Sequence, residues 1–176
     1  MVLGAFGIPN TSNSSIVKKK KETNDEDLIH DVCIRANNTF LCEQILREFG
    51  LPNPDFGSLG KLSLVFASSL ANATRLLIDH VFLHEATDNA IIRRQLLVCA
   101  KCYDLVIEDM SECYEALSRH EYVDLFNYAV IAKGNQLVCH QNFASEPPDL
   151  VRYGKFFQDY ADMIRAIAQT AAGIKS

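Results

Sequence analysis

Residues 88–119 read DNAIIRRQLLVCAKCYDLVIEDMSECYEALSR, and their apolar positions decide the fold. Ile92, Leu96, Cys99, Tyr103, Val106, Met110, Cys113 and Leu117 follow one another at alternate steps of four and three. That alternation puts them on one face of a helix. Its mean of about 3.5 residues suits near-parallel packing against other helices. The neighbouring stretches repeat the pattern. Leu62, Phe66, Ser69, Ala73, Leu76, His80 and Leu83 mark a helix over 58–83. Tyr122, Leu125, Ala129, Ala132, Gln136, Cys139 and Phe143 mark another over 121–143, and Tyr153, Phe157, Tyr160, Ile164, Ile167 and Ala171 a fourth over 150–172. Thr87-Asp88, Ser118 and Asp149 offer caps at the starts of the second, third and fourth. Short links make neighbouring helices antiparallel. The expectation is an all-α, up-down-up-down four-helix bundle over 58–173. Two shorter amphipathic segments, 26–35 and 40–49, precede a break at Gly50-Leu51-Pro52-Asn53-Pro54 and read as an N-terminal helical hairpin over 26–50.

A chain of 176 residues has room for one domain of this kind, read here as 26–176. Its 48% hydrophobic and 22% charged residues are the balance of a globular protein. Eight glycines and five prolines are too few for a many-turned β-sandwich. No run approaches the length of apolar sequence that spans a membrane. A net charge of −5 argues against general nucleic-acid binding. Lys18, Lys19, Lys20 and Lys21 are offset by Glu22, Asp25, Glu26 and Asp27, so the acidity belongs to the body of the chain. Residues 1–25 are polar and low in complexity and read as a disordered tail. The lysine block reads as a solvated charge run rather than a nuclear signal. No secretion signal is visible, because Gly4, Gly7 and Pro9 cut short the apolar start and no basic residue precedes it.

The six cysteines carry the most information. Cys99 and Cys102 form a lone C-x-x-C in mid-helix, with neither a second pair for zinc nor a βαβ unit for thioredoxin-like chemistry. Disulfides fit better. Folding the two short helices back on each other brings Cys33 and Cys42 together. Cys99 and Cys139 each lie 20 residues from residue 119, in the link, so antiparallel helices place them at one level. Cys113 sits on the core stripe and reads as a small buried apolar residue. Cys102, at the stripe's edge, reads as a free thiol or a link between two chains.

The segment 29–46, IHDVCIRANNTFLCEQIL, resembles the opening of the plant invertase and pectin methylesterase inhibitor family. It has two cysteines with eight residues between them and an apolar residue, Ile29, four before the first. Gln95 to Tyr103, with the tyrosine four residues after Cys99, resembles the family's third-cysteine helix. Glu115-Ala116-Leu117, and Cys139 with Phe143, are similar to its link and fourth-cysteine helix. The resemblance covers roughly residues 26–173. It implies an all-helical, disulfide-braced inhibitor domain with the pairing Cys33–Cys42 and Cys99–Cys139. It also implies secretion to the apoplast and cell wall, or delivery to the vacuole, and one-to-one binding of a pectin methylesterase or an acid invertase. A face of the bundle covers the pectin cleft in the first case; a Pro-Lys-Phe motif at the link enters the sugar site in the second. Here the link reads His120-Glu121-Tyr122-Val123-Asp124-Leu125, without that motif, and Gln136-Leu137-Val138 stand where the family has small or hydroxyl residues.

The leading expectation is therefore an inhibitor of pectin methylesterase that occludes the cleft without covalent chemistry. An inhibitor of acid invertase comes second, and a non-inhibitory interaction or storage module third. Contacts are expected on the exposed faces of the second and third long helices, at Lys101, Asp104, Glu108, Glu112, Glu115, Glu121, Asp124 and Asn127. Glu108, Asp109 and Glu112 otherwise read as a solvated polar side. No Ser-His-Asp or Gly-rich phosphate motif points to catalysis. His80 and His84 have the spacing of two metal ligands but no evident third, and His80 falls on the apolar stripe. No metal, cofactor, nucleic acid or membrane is expected. Of the N-x-S/T sequons at Asn10, Asn13, Asn37 and Asn72, Asn37 in the hairpin turn is the most credible glycosylation acceptor; Asn72, beside the stripe, reads as hidden by packing.

Overall fold

The computed structural model describes residues 22–49, 52–86, 88–143 and 147–175, with side chains from residue 28 onward. The tail reading over 1–21 lies outside the described residues. Helix α1 (Glu22–Cys33) begins inside the stretch read as tail, at the acids that follow the lysine block. The remaining order is α2 (Thr39–Glu48), α3 (Phe56–Leu77), a π-helical turn at Ile78–Phe82, a single turn α4 (Leu83–Glu85), α5 (Ala90–Ser118), α6 (Tyr122–Gln141) and α7 (Pro148–Ala171). Helices α3, α5, α6 and α7 pack in a ring, each against the next and α7 back on α3. The fold is the expected all-α bundle with an N-terminal hairpin, and no strand occurs among the described residues.

The helix starts are set by local chemistry. Asp55 and Ser58 form a reciprocal capping box on α3: Ser58 N donates to Asp55 Oδ1 (2.7 Å) and Asp55 N to Ser58 Oγ (2.9 Å). Asn38 caps α2 and Asn89 caps α5 through side-chain oxygens. The caps read from the sequence shift accordingly. Asn89, not Asp88, does the capping of α5. Ser118 is the last residue of α5, and its hydroxyl donates to Glu115 O (2.7 Å). Asp149 lies inside the first turn of α7, which starts at Pro148 because a proline there gives up no helical hydrogen bond.

Two disulfides brace the molecule, Cys33–Cys42 across the hairpin and Cys99–Cys139 between α5 and α6. Antiparallel α5 and α6 are further held where Gln95 Nε2 donates to Asn142 O (2.8 Å).

The apolar interior has two parts. The larger lies inside the ring and includes Leu64, Ala67, Ile78, Leu96, Tyr103, Val106, Met110, Leu125, Phe157 and Ile164. The smaller lies where the hairpin covers α3 and α7, with Ile29, Val32, Ile45 and Leu46 against Leu59, Met163 and Ile167. The stripes read on α5, α6 and α7 face the interior. The stripe read on α3 does not. Leu59, Gly60, Ser63, Leu64, Ala67, Ala71 and Thr74 are the buried residues there, while Ser69, Ala73, Leu76 and His80 are exposed. Small residues face the ring because α3 approaches α5 closely: a β-carbon added at Gly60 would stand 2.9 Å from Leu117 Cδ1. The larger Leu62 and Phe66 turn toward the hairpin, where Phe66 stacks on Tyr160 (5.5 Å) and meets Phe49 edge-on (4.9 Å).

Candidate docking surface

Helix α5 sends one face to the ring, so the residues half a turn away must face out. Lys101, Asp104, Glu108, Glu112 and Glu115 are all exposed along it. Glu121 is exposed in the link, and Asp124 and Asn127 on the first turns of α6. The eight residues do not form one patch. Asp104 leans toward α3, where Arg75 Nε donates to its Oδ1 (2.6 Å) and also pairs with Asp79. Glu108, Glu112 and Glu115 form an acidic ridge beyond it. Glu121 is engaged by Arg119 (2.8 Å). Asp124 and Asn127 belong to the flank of α6.

Asp109 departs from the solvated reading. It is half-buried in the seam between α5 and α6, where Asn135 Nδ2 donates to its Oδ2 (2.7 Å). Burial pushes its carboxyl above the usual 3.8, Glu108 and Glu112 add to the rise, and the Asn135 bond opposes it. One turn before Asp109 stands Leu105, and one turn before Asn135 stands Ile131. These two, with Val138, are 48%, 49% and 51% exposed. The sequence reading did not single them out. Their signal was a second period of seven, Ile91-Val98-Leu105-Glu112 on α5 and Asp124-Ile131-Val138 on α6, offset from the core stripe. The seam thus presents apolar side chains that end in carboxylates toward the link, a pattern that fits a partner with apolar and basic groups.

The link between α5 and α6 is a tight turn. His120 adopts a left-handed conformation (φ 58°), and Glu121 N donates to Ala116 O (2.9 Å). Tyr122 packs edge-on against Phe56 (6.2 Å), and burial raises its phenol above the usual 10.0. A cavity of about 390 Å³ opens here between His120, Glu121, Tyr122, Val123, Asp124 and Ala172. Further along α6, Gln136 is buried and its Oε1 accepts from Gln158 Nε2 (2.8 Å). Leu137 is partly buried and Val138 exposed, so of the three residues before Cys139 only the last reaches the surface fully.

No protein-family model matches the chain, and neither does any curated protein. The solved structures similar to it include two inhibitors. The mutant form A of a pectin methylesterase inhibitor from Arabidopsis superposes with a TM-score of 0.70 at 15% identity, over 78% of this chain and 93% of that one. A pectin methylesterase inhibitor from Arabidopsis thaliana gives 0.62 at 16% identity, over 82% and 96%. The fold is that of these inhibitors.

The other residues singled out fall as follows. Cys113 is fully buried, and burial, with Asp109 and Glu112 nearby, pushes its thiol up to about 12. Cys102 is buried too, with its thiol raised by burial, so a link between two chains through it would require α5 to open. His80 and His84 are both exposed on the π-helical turn and α4, off the buried face. Among the described residues no group of three His, Cys, Asp or Glu could hold a metal ion, and no helix is long and apolar enough to cross a membrane. Asn37 is exposed, but its amide nitrogen, the atom a glycan would take, donates to Asp162 Oδ2. Asn72 is exposed rather than hidden, and its amide donates to Ser68 O (2.8 Å).

Proposed function

We propose that this chain is a protein inhibitor of pectin methylesterase, not an enzyme, and that it acts by non-covalent occlusion of the substrate cleft. The observation that carries the reading is the helical-bundle fold, similar to that of two pectin methylesterase inhibitors and braced in this chain by two disulfides. Occlusion asks for a rigid surface and no reactive group. Cross-links within the hairpin and between α5 and α6 supply rigidity, and a rigid binder loses less entropy on association. The contact surface in this reading is the outward side of α5 and α6, with Lys101, Glu108, Glu112, Asp124 and Asn127 around the exposed Leu105, Ile131 and Val138. The complex is one-to-one, and its place of action is the apoplast and cell wall.

Acid invertase is the competing target. In the resembling family that mode uses a Pro-Lys-Phe motif at the link, where this chain has His120-Glu121-Tyr122 in a tight turn. A paired assay tests the choice. Oxidised protein is titrated into a plant pectin methylesterase and a plant acid invertase across mildly acidic to neutral pH. Inhibition of the esterase alone is expected, weakened at least about tenfold by Glu108→Lys together with Glu112→Lys. Inhibition of the invertase alone would replace the target. Inhibition of neither, with both disulfides intact, would leave a non-inhibitory interaction or storage module. Unchanged affinity in the double variant would remove the acidic ridge from the contact surface.

A further inference from the structure

Away from α5, the hairpin, α6 and the end of α7 border an open cavity of about 480 Å³. Ile34 and Arg35 line it from the turn after α1, Phe126 from α6, Arg165 and Gln169 from α7, and Ile174 and Lys175 from the segment beyond. Three of these seven residues are cationic and none is a carboxylate, in a chain whose net charge is −5. Asp162, which contacts the lining residue Arg165, is committed: Lys133 Nζ donates to it (2.8 Å), as do Asn37 and Arg165.

Arg165 is held as a fixed part of the wall. Its Nη2 donates to Arg35 O (2.7 Å), its Nη1 to Gln169 Oε1 (2.9 Å) and its Nε to Asp162 Oδ1 (3.3 Å). Arg35 is different. Its Nε is buried and has no hydrogen-bond partner. That nitrogen is closed to a ligand as well, so Arg35 meets the cleft only as one of its lining residues, where the planar fork of arginine suits a carboxylate. Beside it stand an aromatic ring and two isoleucines, which no bare inorganic anion would use. Three apolar side chains among four polar ones give a cleft of this size an apolar face beside anchors for an anion.

We infer that this cavity binds a carboxylate carried on a sugar ring, a uronate, with Arg35 and Lys175 on the carboxylate and Phe126 against the face of the ring. The assignment to a uronate rests on the proposed inhibitor function, since ester hydrolysis on pectin leaves uronate carboxylates. The site is separate from the acidic ridge of α5, so an inhibitor docked through that ridge could hold its enzyme's product at the same time.

The test is direct binding, followed by NMR or calorimetry on the oxidised full chain without any enzyme. Galacturonate, galactose and inorganic phosphate are the probes. Galacturonate is expected to bind in the ~1 mM range, with galactose and phosphate each at least about tenfold weaker. Arg35→Gln and, separately, Lys175→Gln each weaken galacturonate at least about fivefold, while Glu112→Lys leaves it unchanged. Lys175 is exposed and lies outside every helix, so its variant keeps the fold. Equal binding of phosphate and galacturonate would overturn the uronate, and binding indifferent to both variants would overturn the site. Uronate binding without esterase inhibition would sink the proposed function and leave the site standing; inhibition without uronate binding would do the reverse.

Discussion

At the scale of single residues, Asp109 is the titrating group whose environment is best defined. Its carboxyl sits in the α5–α6 seam with its pKa raised, first by burial and then by Glu108 and Glu112. A raised carboxyl binds its proton more tightly in the folded state than in the unfolded one. Ionisation therefore costs stability as pH rises from the unfolded value near 3.8 through the folded one, and the cost persists above it. Asp109→Asn removes that charge and keeps an oxygen that can accept from Asn135. The variant should melt higher than the parent at pH 7, and the gain should shrink toward zero near pH 3, where the parent is protonated as well. Thermal melts at the two pH values check it, and a lower melting temperature at pH 7 would mean the Asn135 bond outweighs burial. This residue was not legible in the sequence. Its spacing from Glu108 and Glu112 spoke for the solvated side of α5, and only the neighbouring helix turns it into a seam residue.

Between helices, the close approaches are what the sequence conveyed least. On α5 the stripe was readable because the helix has one buried face and a charged opposite one. Helix α3 is covered twice, by the ring on one side and the hairpin on the other, so it carries two apolar faces and not one. The fitted period began on the hairpin side at Leu62 and Phe66 and ran out to the surface at Ser69, Ala73 and Leu76, while Ser63, Ala67, Ala71 and Thr74 did the packing in the ring. The π-helical turn at Ile78–Phe82 then shifts the register by one residue, which no spacing rule anticipates. The disulfides were legible for the opposite reason: equal distance from a link is a property of the chain alone. On α7, Gly154 marks a close approach to α6. A β-carbon there would overlap the His140 ring and the Gln136 amide. Since Gln136 is buried and bonded to Gln158, those side chains have little room to retreat. Gly154→Ala gains helix propensity in the open but here should lower unfolding free energy by about 1–3 kcal/mol. Urea titration would measure it. A stabilised variant would mean that α6 and α7 can separate at no cost.

Across the whole molecule, the hairpin and the bundle are joined by more than apolar contact. Asp162 is 3% exposed in the middle of α7 and receives Asn37 from the hairpin turn, Lys133 from α6 and Arg165 from its own helix. Arg165 in turn holds the carbonyl of Arg35, so one carboxylate ties three parts of the chain together. Nothing in the sequence singled it out, because Lys133 and Asn37 are distant along the chain and an acid on an amphipathic helix reads as surface. A buried carboxylate costs desolvation, which its partners offset only while all remain. Removing it leaves Lys133 and Arg165 partly buried without a counter-charge, a loss of about 3–5 kcal/mol where pairs of this kind have been broken. Asp162→Asn should therefore destabilise far more than an exposed control such as Asp149→Asn, whose pair with Arg152 lies at the surface. The damage should also be local first. Amide exchange ought to rise over α1 and α2 while α5 and α6, held by Cys99–Cys139 and their own core, stay protected. Uniform loss of protection would mean that hairpin and bundle unfold as one unit. Unchanged stability would mean that the smaller apolar cluster alone, around Ile29, Leu46 and Met163, is enough to hold the hairpin on α3 and α7.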